Sequence, residues 1–303
     1  MVFISTRVFL LLFAFTAFNG WTCDEFGNTG IVEENDLRIA AWDKANSNSM
    51  TKSEFIQIIS QIERIYSPIF RSKGKTLVIK KDWEDSVVNA YAKLSGTTAH
   101  VVMSGGLARH PVITNDALAL VVCHEVGHHI GGAPTKNVRS FGGRSISWAS
   151  NEGQADYWGS LKCMRRYLST QDNVSYIDSI KIPTEVKNLC EGSFHDLDSQ
   201  AICMRTTLAG HSLASMFRAI RTRNGRVMNE LSYVNKDPRV VKNMDDAHPA
   251  PQCRLDTYFS GSLCDKDIRE TVSYTDFNSG VCTQVNGYNA GTRPKCWYRP
   301  PNY

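Results

Sequence analysis

Residues 115–132 read NDALALVVCHEVGHHIGG. Thr114 or Asn115 caps the start of this stretch and the pair Gly131 and Gly132 stops it, so the spacing predicts a helix over 115–130. Within it stand His124, Glu125 and His128. Four residues advance a helix by about 400°, so the two imidazoles leave one face about 40° apart, and Glu125 follows His124 by about 100°. Both rings can therefore reach a single ion, and the carboxyl between them can reach a water on that ion. His129 is turned about 140° from His124 and is expected to face elsewhere.

Two imidazoles with an adjacent carboxylate suit Zn2+, which binds nitrogen at about 2.0–2.1 Å and leaves room for a third protein ligand and a water. The next helix, expected over 147–168, offers that ligand. Glu152 and Asp156 lie one turn apart on a face that also carries Ala155, Gly159 and Cys163, and these small residues let another helix approach closely. Gly127 does the same on the first helix. The two faces are expected to pack together, with Glu152 completing the zinc site and Asp156 accepting the outer N–H of a ligand histidine.

Further out, apolar residues at helical spacing predict a helix around Ile31, Leu37 and Ala41, and another through Phe55, Ile58, Ile59, Ile62 and Ile65. The second opens on a capping box, Thr51 with Glu54, and is expected to end near Pro68. Short β-branched runs over 76–80, 86–94 and 98–103, bounded by turn residues, read as strands. Downstream, helices are expected over 197–222 and after Pro249, and beyond Ser260 the periodicity fades into an irregular, cysteine-bearing tail. The order of elements argues for an α+β fold, mostly helical, with a small sheet before the HExxH helix.

The 303 residues are 42% hydrophobic and 21% charged, which excludes a disordered or low-complexity chain. A net charge of +4 without a run of like charges gives no reason to expect a nucleic-acid partner. Arg7 precedes an apolar run over 8–18, too short to cross a bilayer and of the length of a signal-peptide core. The expected organisation is a signal peptide over 1–22, a main domain over 23–260 and the tail over 261–303, the protein being exported to a periplasm or the extracellular space. No transmembrane segment is expected in the mature chain; Cys23 is the position a lipid anchor would take, though Trp21 and Thr22 make a poor signal for one. Nine cysteines without a CxxC pair point to disulfides, the odd number leaving one over. Their short separation suggests a bridge between Cys282 and Cys296.

The run DALALVVCHEVGHHIGG followed by NEGQAD resembles the zinc metallopeptidases of the HtpX and CAAX prenyl protease type, metallopeptidase family forty-eight. Glu152, Ala155 and Asp156 match that family's ExxAD, and Asn89 to Ala92 match its NAxA strand. Val101 to Leu107, VVMSGGL, is similar to its edge strand and the turn before the zinc helix. His248, Pro249 and Arg254 match HPxxxxR. The similarity spans 80–257.

The resemblance implies a zincin-like fold of the gluzincin type. It also implies that His124, His128 and Glu152 hold zinc, Glu125 is the base, His248 stabilises a tetrahedral intermediate and Arg254 supports the site through an ionic contact. The hydrophobic hairpins of membrane-embedded members are missing, so the chain is similar to the exported branch, whose periplasmic members act on envelope proteins. The function implied is a zinc-dependent endopeptidase for exported or misfolded polypeptides. A free edge of the strand Ala99, His100, Val101, Val102 and Met103 is expected to pair with the substrate backbone. Two other readings are a non-catalytic zinc-binding chaperone or interaction module and a zinc amidase acting on cell-wall peptide. Cys253, inside HPAPQCRLD, suggests that the tail is tied to the main domain.

Overall fold

A computed structural model describes residues 29–33, 35–136 and 148–300. Its sheet contains β1 (Thr29–Gly30), β2 (Thr76–Asp82), β3 (Ala90–Ser95) and β4 (Thr98–Ser104), in the order β1-β3-β4-β2. Strands β3 and β4 form an antiparallel hairpin whose turn places Gly96 at φ 57°, a conformation that favours glycine. β2 runs parallel to β4 with Thr76 opposite Thr98. Alternate residues, Leu77 and Ile79, Ala90 and Ala92, and Ala99, Val101 and Met103, are buried, as the two-residue period of a strand requires. β4 is thus flanked on both sides, and Ala99, His100, Val101, Val102 and Met103 do not offer the expected free edge. The outer edge of β3 is lined instead by residues 29–31, and residues 37–39 lie against residues 86–88 just before that strand.

That segment also departs from the helix expected at Ile31, Leu37 and Ala41. The Ile31 N–H donates to the Ala90 carbonyl at 3.0 Å, and Arg38 bridges to Val87, so the stretch lies against the sheet. Helix α1 (Lys52–Ser72) has the expected capping box but runs through Pro68. Tyr66 and Phe70, both buried, hold the last turns against the core and outweigh the one backbone bond that proline removes.

After a short turn, α2 (Gly105–Ala108), comes α3 (Asn115–Ile130), as the sequence predicts, with every side chain from Asp116 to Ile130 buried. α4 (Glu152–Trp158) continues through a π-helical turn (Gly159–Met164) into α5 (Arg165–Leu168). It begins at 152 rather than 147 because the Ser150 N–H donates to the His128 carbonyl and the Asn151 side chain caps the helix by accepting from the Gln154 N–H, each at 2.9 Å. Two short helices that the spacing did not predict follow, α6 (Asn173–Asp178) and α7 (Thr184–Ser193). Then come α8 (Leu197–Arg223) and α9 (Pro251–Leu263). Among the described residues no helix is long and apolar enough to cross a membrane.

Four disulfides join Cys123 to Cys163, Cys190 to Cys203, Cys253 to Cys296 and Cys264 to Cys282. The expected bridge between Cys282 and Cys296 is therefore wrong: both cysteines pair with α9 or its end, because the tail folds back onto that helix. Cys23 and the expected signal peptide lie outside the described residues. In the tail the one regular piece described is a 3₁₀ turn, Gln284–Asn286. Trp297 is fully buried there, its indole N–H donating to Thr257 Oγ1 at 2.9 Å. Its ring lies against Gly153, where an added Cβ would come within 2.1 Å of it. Gly153→Ala is therefore expected to destabilise the fold by about 1–3 kcal/mol through forced repacking, read as a lower thermal midpoint; an unchanged midpoint would contradict this packing of the tail.

Candidate metal centre

Helices α3 and α4 cross where both are small. A Cβ at Gly127 would stand 3.1 Å from the Ala155 carbonyl oxygen and from the Trp158 ring. The disulfide from Cys123 to Cys163 ties the same two segments one residue before His124. This contact brings His124, His128 and Glu152 together, all fully buried, with one donor atom of each within 4.8 Å of the others. His124 Nε2 lies 3.0 Å from His128 Nε2 and 3.3 Å from Glu152 Oε2, and His128 Nε2 lies 3.7 Å from Glu152 Oε1. Ligand atoms around a tetrahedral ion with bonds of about 2.0–2.1 Å stand about 3.3 Å apart.

The outer face of each ring fixes what the inner face presents. His124 Nδ1–H donates to Asp156 Oδ1 at 2.7 Å, and His128 Nδ1–H donates to the Ser150 carbonyl at 2.8 Å. In neutral imidazoles so arranged, both Nε2 lone pairs point at the same place as the Glu152 carboxylate. Convergent electron pairs in a buried space call for a cation, so these residues fit a metal ion. Asp156 is itself gripped from three sides. Arg254 donates to both its oxygens at 2.7 Å and the Tyr258 hydroxyl donates to Oδ1 at 2.6 Å. The sequence-predicted partnerships of Asp156 with His124 and of Arg254 with the site thus appear as a single hydrogen-bonded hub.

Charge follows from this geometry. Burial works against the charged form of His124, but Asp156 outweighs it and lifts the ring to about 9 in the metal-free chain. Burial, joined by the charges of His124 and Lys136 and opposed by Glu152, holds His128 well below its ordinary value. Asp156 and Glu152 are pushed up by burial, yet Arg254 and His124 hold Asp156 low, and His248 and Lys136 hold Glu152 well below the usual carboxylate range. At Glu125 burial, joined by the Glu152 charge, outweighs the pull of His124, Lys136 and Arg254 and raises the carboxyl to about 8, and neither of its oxygens has a hydrogen-bond partner.

His248 stands at the rim, partly exposed, with Nε2 3.4 Å from Glu152 Oε2 and donating to the Gly30 carbonyl at 2.6 Å. His129 is turned away as expected, its Nε2–H donating to the His100 carbonyl at 3.2 Å and its ring stacked on Trp148. Sequence reasoning missed Lys136, whose ammonium lies 2.7 Å from Glu152 Oε1. It sits on an irregular connection, where spacing says nothing about direction; the bridge between Thr135 and Ser150 brings it to the site. The sequence marks Asn89 only as part of a strand motif; its side chain reaches out to the backbone N–H and carbonyl of Val32.

No curated protein and no solved structure matches the chain. A family model, described as Peptidase family M48, matches residues 52–257, more than half of the chain. The matched span contains the three residues that can hold a metal ion and, of the hub, His124, Asp156 and Arg254; Tyr258 lies one residue beyond it. Together, the fold of these two helices around a buried His-His-Glu set and the match over residues 52–257 show that the chain belongs to Peptidase family M48.

Proposed function

We propose that the protein is a zinc-dependent endopeptidase of zincin-like architecture that hydrolyses exported or misfolded polypeptides of the cell envelope. The observation that carries this reading is Glu125, a buried carboxyl without a hydrogen-bond partner beside the His-His-Glu set. A buried carboxyl is costly to leave unpaired, and such a group is accounted for if its partner is the water that comes with the ion. His124, His128 and Glu152 would hold the ion, which when bound supplies Lewis acidity to a peptide carbonyl and to a neighbouring water. Glu125 takes the proton of the attacking water and returns it to the leaving amine. His248 donates a hydrogen bond to the carbonyl oxygen as negative charge develops on it. Asp156, held by Arg254 and Tyr258, keeps the His124 lone pair aimed inward. The four disulfides support an oxidising compartment.

Removal of metal with a chelator is expected to abolish cleavage of an unfolded, casein-like substrate, and equimolar zinc to restore it. Cleavage that persists in metal-free protein would end the proposal. Stoichiometric zinc without cleavage would instead support a zinc-binding chaperone.

A further inference from the structure

The outer edge of β3, which could otherwise take up an extended peptide by strand addition, is filled by the chain itself. β1 pairs antiparallel with β3, Thr29 opposite Ala92 and Gly30 opposite Tyr91. The next residues stay on the same track. The Ile31 N–H donates to the Ala90 carbonyl at 3.0 Å, the Val32 N–H to Asn89 Oδ1 at 3.3 Å, and Asn89 Nδ2 to the Val32 carbonyl at 3.2 Å. Two consecutive carbonyls of this segment meet the groups that surround the metal centre. His248 Nε2 donates to the Gly30 carbonyl at 2.6 Å, and Arg254, while bound to Asp156, donates to the Ile31 carbonyl at 2.5 Å. His248 Nε2 is also 3.4 Å from Glu152 Oε2, so the Gly30 carbonyl lies at the mouth of the metal site.

The fit is close at residue 30. A Cβ there would stand 3.1 Å from the Tyr91 ring and 3.2 Å from the Asn89 amide. Ile31 is wholly buried and Val32 nearly so. A backbone held by its carbonyls and N–H groups, with the next side chain sunk in the core, is how an extended peptide is bound by strand addition. Here the peptide is residues 29–32, and the carbonyl that would carry the developing negative charge is that of Gly30.

Resting on the peptidase reading above, we propose that residues 29–32 are the protein's own substrate and that the centre cuts the Gly30–Ile31 bond. Water adds its oxygen to the Gly30 carbonyl carbon, and the bond from that carbon to the Ile31 nitrogen breaks, its electron pair staying with nitrogen. Glu125 carries the proton from the water to that nitrogen. The products are a segment ending in the Gly30 carboxylate, which includes Cys23, and a chain beginning with the Ile31 amine.

The test uses the full chain, purified without metal, as wild type and as Glu125→Gln. Amide exchange is read first, before any chemistry: the Ile31 and Val32 N–H groups should be slowed on the order of a hundredfold or more, and exchange at the unprotected rate would overturn the placement. Zinc is then added and the N-terminal residue is followed by intact mass. In the wild type, chains beginning at Ile31 should accumulate at a rate independent of protein concentration, and Glu125→Gln should stay uncut at this bond. Wild type that digests a casein-like substrate while keeping the Gly30–Ile31 bond whole would overturn self-cleavage and leave the peptidase reading standing. The same cut in Glu125→Gln would assign it to another protease and also overturn self-cleavage. Failure of the wild type to cut either substrate would overturn both readings.

Discussion

Glu125→Gln is expected to lower peptide hydrolysis about 10²–10⁴-fold while metal content stays at the wild-type level. The amide keeps the size of the carboxyl but has no basic oxygen to take a proton from water. Glu125 is not among the three residues whose donor atoms converge, so the variant retains the ligands. Nor does it lose a structural contact, because neither oxygen of Glu125 has a hydrogen-bond partner. Removing a carboxyl that burial raises to about 8 should leave the thermal midpoint unchanged or higher. Steady-state kcat/KM on an unfolded substrate, with metal content measured on the same sample, checks this. Full activity would remove Glu125 from the mechanism, and loss of metal together with activity would make it a ligand.

The second large effect is expected at Asp156. This carboxylate accepts from His124, Arg254 and Tyr258, all of them buried. Asp156→Ala leaves the Arg254 guanidinium buried without its counter-charge, and breaking such a pair from one side costs about 3–5 kcal/mol. It also frees the His124 ring to rotate, so metal affinity should fall about 10–100-fold. Denaturant unfolding of the metal-free chain reads the first effect, and competition against a metal-binding dye reads the second. Asp156→Asn separates them further. The amide can still accept from His124 but brings no charge to Arg254, so stability should fall more than metal affinity does. A wild-type midpoint and wild-type affinity in Asp156→Ala would contradict the hub.

Much of this centre is legible in the sequence because helices convert spacing into direction. The positions of His124, Glu125 and His128 on one helix, and the small residues at Gly127 and Ala155, set the face and its closest approach. The bounds of α3 follow from its cap and its terminal glycines. Segments whose direction is set by distant partners are not legible in this way. Lys136 reaches Glu152 from an irregular connection, and Ile31, whose apolar neighbours at Leu37 and Ala41 suggest a helix, is drawn into the edge of the sheet by Ala90 and Asn89. The sequence of β4 suggests an edge because it does not reveal that β2 and β3 close the strand on both sides. Pro68 failed as a stop signal for a similar reason: the burial of Phe70 two residues later is a tertiary fact. The pairing of Cys253 with Cys296 and of Cys264 with Cys282 depends on the tail folding back over α9, which no separation along the chain encodes.

Two helices place two imidazoles and one carboxylate where they can hold a single metal ion. Diffraction from zinc-loaded Glu125→Gln protein at the zinc absorption edge tests it most directly. One anomalous peak per chain is expected at about 2.0–2.2 Å from His124 Nε2, His128 Nε2 and a carboxyl oxygen of Glu152. A peak elsewhere, or one with the Glu152 carboxyl turned away from it, would contradict a site built from these three residues.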